Sequence, residues 1–209
     1  MDTSFTVEAV AVRRKQLVLV TLSDGRELEI DRPTWEQSPY RANSALTEEE
    51  LSALLSLSEE NRARSRALYL LSRRDYTKKE LSEKLRPAAG REVCDATADR
   101  MEELGLVDDT TLAERYAREY CLVRHYPKRR AVQKLREKGI ERFLAEEAVE
   151  KIGAEDLQAA LAFLERKCYT QKDEIQRRKI VDALIRYGFD YETARTAVRQ
   201  IEESEGESF

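Results

Sequence analysis

The side chains whose type and spacing say most about chemistry in this sequence are cationic. Arg124, Lys128, Arg129, Arg130, Lys134, Arg136 and Lys138 fall within 15 residues, with His125 and Tyr126 among them. An earlier turn carries Arg73, Arg74, Lys78 and Lys79, and a later one Lys172, Arg177, Arg178 and Lys179. Basic turns that recur along a chain can line up as a stripe that tracks a phosphate backbone or an acidic protein groove. The competing reading is a solvated polar face, which is ordinary in a chain with 37% charged residues. Tyr116, Tyr120, Tyr126 and Tyr169 could stack on bases, and at least half of them are expected in the core.

No constellation for catalysis stands out. His125 is the single histidine, and there is no HExxH, GxGxxG or GxxxxGKS pattern. Asp108-Asp109 is the most tempting carboxylate pair, because adjacent acids can hold a metal or share acid and base roles. The pair also follows Gly105-Leu106-Val107, where acids cap the next helix and suit its dipole. Cys94, Cys121 and Cys168 lie 27 and 47 residues apart with no CxxC pair. A zinc site, a redox motif and a disulfide framework are therefore not expected, and three unpaired thiols suit a reducing cytosol. No metal and no cofactor is called for.

These groups must be carried by a chain of 209 residues with only 7 Gly and 4 Pro, which reads as mainly helical. No stretch approaches the ~20 apolar residues of a membrane span. The apolar run from Leu17 to Val20 is too short for a signal peptide, so a cytosolic protein is expected. The formal net charge of −4 is unevenly spread: −5 over residues 1–62, 0 over 63–109, +5 over 110–186 and −4 over 187–209.

The N-terminal segment differs from the rest. Residues 5–12, 16–22 and 26–30 are short and β-branched with partial period 2, and Asp24-Gly25 suits a tight hairpin. Three strands alone are marginal, so the sheet must pack on a helix or a partner. Thr47-Glu48-Glu49-Glu50 opens a helix through a capping box. Trp35 reads as an aromatic that holds the sheet to the helices, with a binding role as the alternative.

From about residue 60 the period becomes helical and then repeats. At an offset of 49 residues Leu135 matches Leu184, Gly139 matches Gly188, Ile140 matches Phe189, Ala148 matches Ala197 and Val149 matches Val198. A copy from Leu81 fits with one extra residue near Pro87-Ala88-Ala89. Such self-similarity marks stacked helical units, although two unrelated amphipathic hairpins would give the same register. Thr77-x-x-Glu80 and Asp190 read as N-caps and Pro127 as a first helical residue. Gly105, Gly139, Gly153 and Gly188 fall where helices should stop. Ala67, Leu70 and Leu71, then Leu81 and Leu85, then Ala98, Met101 and Leu104 form the expected inner stripes of the first unit.

Three stretches in order resemble the RecX family of bacterial recombination regulators: ALYLLSRRDYTKKELSEKL from Ala67, GLVDDTTLAERYAREY from Gly105, and KRRAVQKLREKGI from Lys128. The resemblance covers roughly residues 60–203. Leu112 replaces a frequent Phe, and Tyr126-Pro127 replaces a Gly-containing approach. It implies three tandem three-helix repeats, which stacking of their small cores would arrange in an elongated, curved array; the small β-rich segment of residues 1–58 that precedes them lies outside the resemblance. The boundaries would be a β-rich segment with a short helix at 1–58, repeats at 59–108, 109–153 and 154–204, and an acidic tail at 205–209, with residues 1–58 separable. It also implies a non-enzymatic negative regulator that binds the RecA–DNA filament and limits its growth, ATP hydrolysis and strand exchange. A monomer with modest affinity for single- or double-stranded DNA, and none for membranes, is the expected form. From charge and placement the contact set is Arg73, Arg74, Lys78, Lys79, Arg124, Lys128, Arg129, Arg130, Lys134, Lys172, Arg177 and Arg178. Arg73, Arg74, Arg129 and Arg130 lead it, the last two as exposed side chains. A stand-alone DNA-binding protein and an interaction scaffold are the alternatives.

Overall fold

The computed structural model describes residues 4–14, 16–166 and 174–206. Cys168, Tyr169, Lys172 and the end of the acidic tail lie outside the described residues.

The chain divides into two compact units, Met1–Val107 and Asp108–Phe209. The first begins with strands β1 (Ser4–Arg14), β2 (Leu17–Leu22) and β3 (Glu27–Asp31), continues through helix α1 (Arg32–Gln37) and a short strand β4 (Ala45–Thr47), and enters helix α2 (Glu48–Leu71). All strand pairs are antiparallel, in the order β3-β2-β1-β4. Strict alternation on β2 buries Val18, Val20 and Leu22, the period-2 pattern of a sheet with one covered face. That face packs on Trp35, Leu51 and Leu54, so Trp35 is the packing aromatic. Gly25 takes φ +84° in the β2–β3 turn, where glycine carries no Cβ penalty.

β4 and α1 go beyond the three strands read from the sequence. β4 is three residues long and exists because β1 offers it a free edge, pairing Phe5 with Leu46. α1 is capped by Asp31, whose carboxylate accepts from the Thr34 N–H at 3.2 Å. The capping box at Thr47 and Glu50 forms in both directions.

α2 spans the boundary expected at residue 58. Its first half faces the sheet through Leu51 and Leu54, and the Ser58 hydroxyl accepts from the Asp31 N–H at 2.7 Å. Its second half belongs to a different core, where Ala67 and Leu70 meet helices α3 (Lys78–Leu85) and α4 (Arg91–Glu103) through Leu81, Leu85, Cys94, Ala98 and Met101. Val107 completes that core. Leu104, expected inside, is 47% exposed, because the helix ends there and Gly105 (φ +69°) turns the chain so that Val107 folds back under Met101.

The second unit holds α5 (Asp109–Arg118), a π-helical turn (Glu119–Val123), α6 (Lys128–Glu137), α7 (Arg142–Ile152), α8 (Asp156–Arg166), α9 (Glu174–Tyr187) and α10 (Tyr191–Gly206). Two three-helix cores result. One contains Leu135, Ile140, Ala145, Ala148 and Val149; the other contains Leu184, Phe189, Ala194, Ala197 and Val198. Residues matched at the 49-residue offset thus occupy matching core positions. The described residues form a mainly helical protein, with three-helix groups after a β-rich start. Cys94 and Cys121 are buried free thiols, and burial pushes the Cys121 thiol up to about 11.

Candidate functional site

The basic turns are best judged by what each cation already touches. In the first unit Lys78 is held by Asp99 at 2.6 Å and Glu102 at 2.9 Å, and those carboxylates raise its pKa well above the ordinary lysine value. The Arg74 guanidinium lies over the Tyr76 ring, 3.6 Å from its centroid, donates to the Asp75 carbonyl at 2.8 Å and pairs with Glu80 at 3.5 Å. Arg73 and Lys79 are exposed and have no ion pair among the described residues.

In the second unit α6 begins without a side-chain cap of its own. Pro127 occupies the N-cap position, one residue earlier than expected, and the Lys128 N–H is satisfied by Asp156 of α8 at 2.9 Å. Lys128 reaches Glu150 at 3.3 Å, Lys134 pairs with Glu137 at 2.6 Å, and Arg124 donates through Nε to Glu119 at 2.9 Å. Exposed pairs of this kind stabilise by less than about 1 kcal/mol, so they yield easily to a partner. Arg177 pairs with Glu202, and Arg178 is also engaged.

Arg130 departs from expectation. It was expected in solvent beside Arg129, but it is half-buried between two rings. Its guanidinium lies 4.5 Å from the Tyr126 centroid and 4.0 Å from that of Tyr187. Nη1 donates to the Tyr187 carbonyl at 2.7 Å. Gly188, with φ +120°, lets this corner approach, since a Cβ there would stand 3.3 Å from Arg130 Cβ and 3.4 Å from Pro127 Cγ. Arg130 therefore fastens α6 to the end of α9. Arg129, one residue away, is exposed and without an ion pair among the described residues, as is Arg136.

The tyrosines follow the same division. Tyr116, Tyr120 and Tyr126 stack in sequence, with centroids 6.0 and 5.7 Å apart, and Tyr126 meets Tyr187 edge-on at 5.6 Å. Tyr120 is buried and the other two partly so. This ladder is core, which leaves no ring of the three fully available for a base. His125 takes a left-handed conformation, φ +53°, where the chain leaves the π-helical turn so that the Tyr126 N–H can reach the Tyr120 carbonyl at 2.9 Å.

Asp108 is the N-cap of α5, accepting from the Thr111 N–H at 2.9 Å and its hydroxyl at 2.6 Å. Among the described residues no group of three or more His, Cys, Asp or Glu could hold a metal ion, and no helix is long and apolar enough to cross a membrane. α7, the third helix of its group, exposes Phe143 (77%) above Glu146, Glu147 and Glu150. Its three glutamates are ion-paired with Arg142, Lys151 and Lys128, so α7 offers no free cation to a phosphate backbone in the helix-turn-helix manner.

Sequence reasoning overlooked Arg62, Arg64 and Arg66 on α2. The signal was present: residues 61–74 contain five arginines and no acid.

Comparison with known proteins gives this surface its context. The model of the first RecX three-helix domain matches residues 63–101, and that of the second matches residues 108–149. Among solved structures, a regulatory protein RecX has a TM-score of 0.62 at 19% identity, covering 95% of this chain and 99% of its own. RecX from Lactobacillus salivarius has a TM-score of 0.58 at 21% identity, covering 70% and 98%. At these identities the likeness is one of fold. Regulatory protein RecX of Clostridioides difficile (strain 630) is 26% identical over 77% of this chain and 78% of its own length. The RecX of Streptomyces coelicolor is 31% identical over 69% of this chain and 80% of its own. With two matching domain models and identity of this extent, the chain belongs to the RecX family of regulatory proteins.

Proposed function

We propose that this protein is a negative regulator of RecA that binds the RecA–DNA filament and limits its growth, ATP hydrolysis and strand exchange. Family membership supports the reading, and the observation that carries it to particular residues is the polar side of α6. There Arg129 and Arg136 are exposed cations with no ion pair among the described residues, while Arg130 is spent on packing. Such cations are available to an acidic groove without first breaking an internal bond. Exposed Phe143 amid glutamates on α7 fits protein contact better than duplex readout, which disfavours a stand-alone helix-turn-helix protein.

The test is DNA-dependent ATP hydrolysis by RecA filaments, with the protein added below the RecA concentration. Wild type should slow hydrolysis and co-sediment with filaments. Reversal of Arg129 and Arg136 to Glu should leave the melt unchanged and weaken inhibition tenfold or more, since each partly desolvated contact is worth about 1–3 kcal/mol. Undiminished inhibition by the double variant would reduce α6 to a solvated face. Absence of both inhibition and co-sedimentation by the wild type would overturn the function itself.

A further inference from the structure

α2 changes cores half-way along its length, and this leaves one of its faces uncovered. At 100° per residue the stripe of Leu51, Leu54 and Ser58, buried under the sheet, continues along the helix as half-buried Arg62 and exposed Arg66 and Tyr69, with exposed Arg73 in the turn just beyond the helix end. From Ala63 onward the buried stripe is rotated to Ala63, Ala67 and Leu70. The seam that is apolar beneath the sheet is therefore arginine and tyrosine beyond it. Tyr69 is 55% exposed in the middle of that face.

Arg13, Arg26 and Arg32 pair with carboxylates, and Arg41 donates to three backbone carbonyls. Arg62, Arg66 and Arg73 have no ion pair among the described residues, although 41 of the 209 residues are acidic. The Arg66 guanidinium lies 5.9 Å from the Tyr69 centroid, a loose association that leaves the ring open. Like charges one turn apart repel and destabilise a helix slightly, a cost that a bound anion would relieve. Residues 61–74 contain five arginines and no lysine, and the guanidinium is the cation that takes a phosphate with two parallel bonds.

We propose that the Arg62–Arg66–Tyr69 face of α2, together with Arg73 in the turn that follows it, binds single-stranded nucleic acid. Arg62 and Arg66, about 6 Å apart along the axis, and Arg73 beyond the helix end take phosphates of one strand, and an unpaired base stacks on Tyr69. The exposed ring selects this occupant: a base inside a duplex has no free face to offer, whereas stacking on an aromatic is the recurring device of single-strand binders. An acidic protein segment would satisfy the arginines and leave the tyrosine unused. This inference does not rest on the filament reading, because it needs no RecA.

The experiment uses the full-length protein and a fluorescein-labelled 20-nucleotide oligothymidylate, followed by anisotropy between 50 and 200 mM salt without RecA. Wild type should bind with a steep salt slope. Arg62→Gln, Arg66→Gln and Arg73→Gln together should weaken binding at least tenfold and lower the slope by about 2, since each single-strand phosphate contact contributes about 0.7. Arg13→Gln, Arg142→Gln and Lys151→Gln together, an equal loss of charge, should change affinity less than threefold. Tyr69→Ala should cost at least fivefold, and the emission of a Tyr69→Trp variant should be quenched by the oligonucleotide. Unquenched emission from that well-folded single variant, equal affinity for a duplex, or preferential binding of polyglutamate would each overturn the proposal. So would a wild type that fails to bind the oligonucleotide.

Discussion

Arg129 and Arg130 are adjacent, chemically identical and destined for opposite tasks. Helix geometry turns Arg130 by 100° from its neighbour, into the gap between Tyr126 and Tyr187. There two ring faces and one carbonyl replace the water that its guanidinium gives up. Partly desolvated cation–π contacts and a charged hydrogen bond together amount to about 2–3 kcal/mol. Arg130→Glu should therefore lower stability by that amount in urea melts and loosen the end of α9. Arg129→Glu should shift stability by less than about 0.5 kcal/mol. Equal melts for the two would show that the ring sandwich contributes nothing. The difference between these arginines was not legible in the sequence, because it is decided by Tyr187, 57 residues away. The buried alanines and leucines of the repeats were legible, because their spacing alone sets the face.

Helix ends are where local chemistry alone decides the outcome. Asp108 and Asp190 each accept from a backbone N–H and a threonine hydroxyl three residues on, as their positions in the sequence indicated. Both carboxyls are held below the ordinary aspartate value, first by the side-chain bond to Thr111 or Thr193 and then by the backbone bond. A carboxyl whose folded pKa is depressed stabilises the fold above its unfolded pKa, and that contribution fades as the pH falls through the folded value. Asp108→Ala and Asp190→Ala should each cost about 1 kcal/mol at pH 7. The gap from wild type should close as the medium is acidified below about pH 4. A gap that is constant from pH 7 to pH 2 would mean that the charged cap is irrelevant. The less legible ends were Leu104, where a glycine turn substitutes Val107 in the core, and the π-helical turn at Glu119–Val123. In both cases the register is set by what the following residues must reach, a longer-range demand than periodicity reveals.

Each of the two compact units owns complete cores. Met1–Val107 contains the sheet core with Trp35, Leu51 and Leu54, and the three-helix core around Leu81 and Met101. Asp108–Phe209 contains the cores around Leu135 and Leu184, joined by the Tyr187–Arg130 corner. The seam between the units has no linker. Val107 is buried in one core, and Asp108 caps the first helix of the next unit. Cutting at residue 58 would sever α2 between its two cores, whereas cutting at 107/108 passes between helices. Residues 1–107, and residues 108–209 led by a glycine, should therefore each show helical circular dichroism and a cooperative melt when made separately. The two fragments also separate the two proposed contacts. Oligothymidylate binding should follow residues 1–107, which carry the arginine face of α2. The α6 surface with Arg129 travels with residues 108–209, and excess fragment 108–209 should compete with the full-length protein for RecA filaments. Oligothymidylate binding confined to residues 108–209 would move the nucleic-acid contact off α2. A fragment that melts without cooperativity would show that its cores need the other half of the chain.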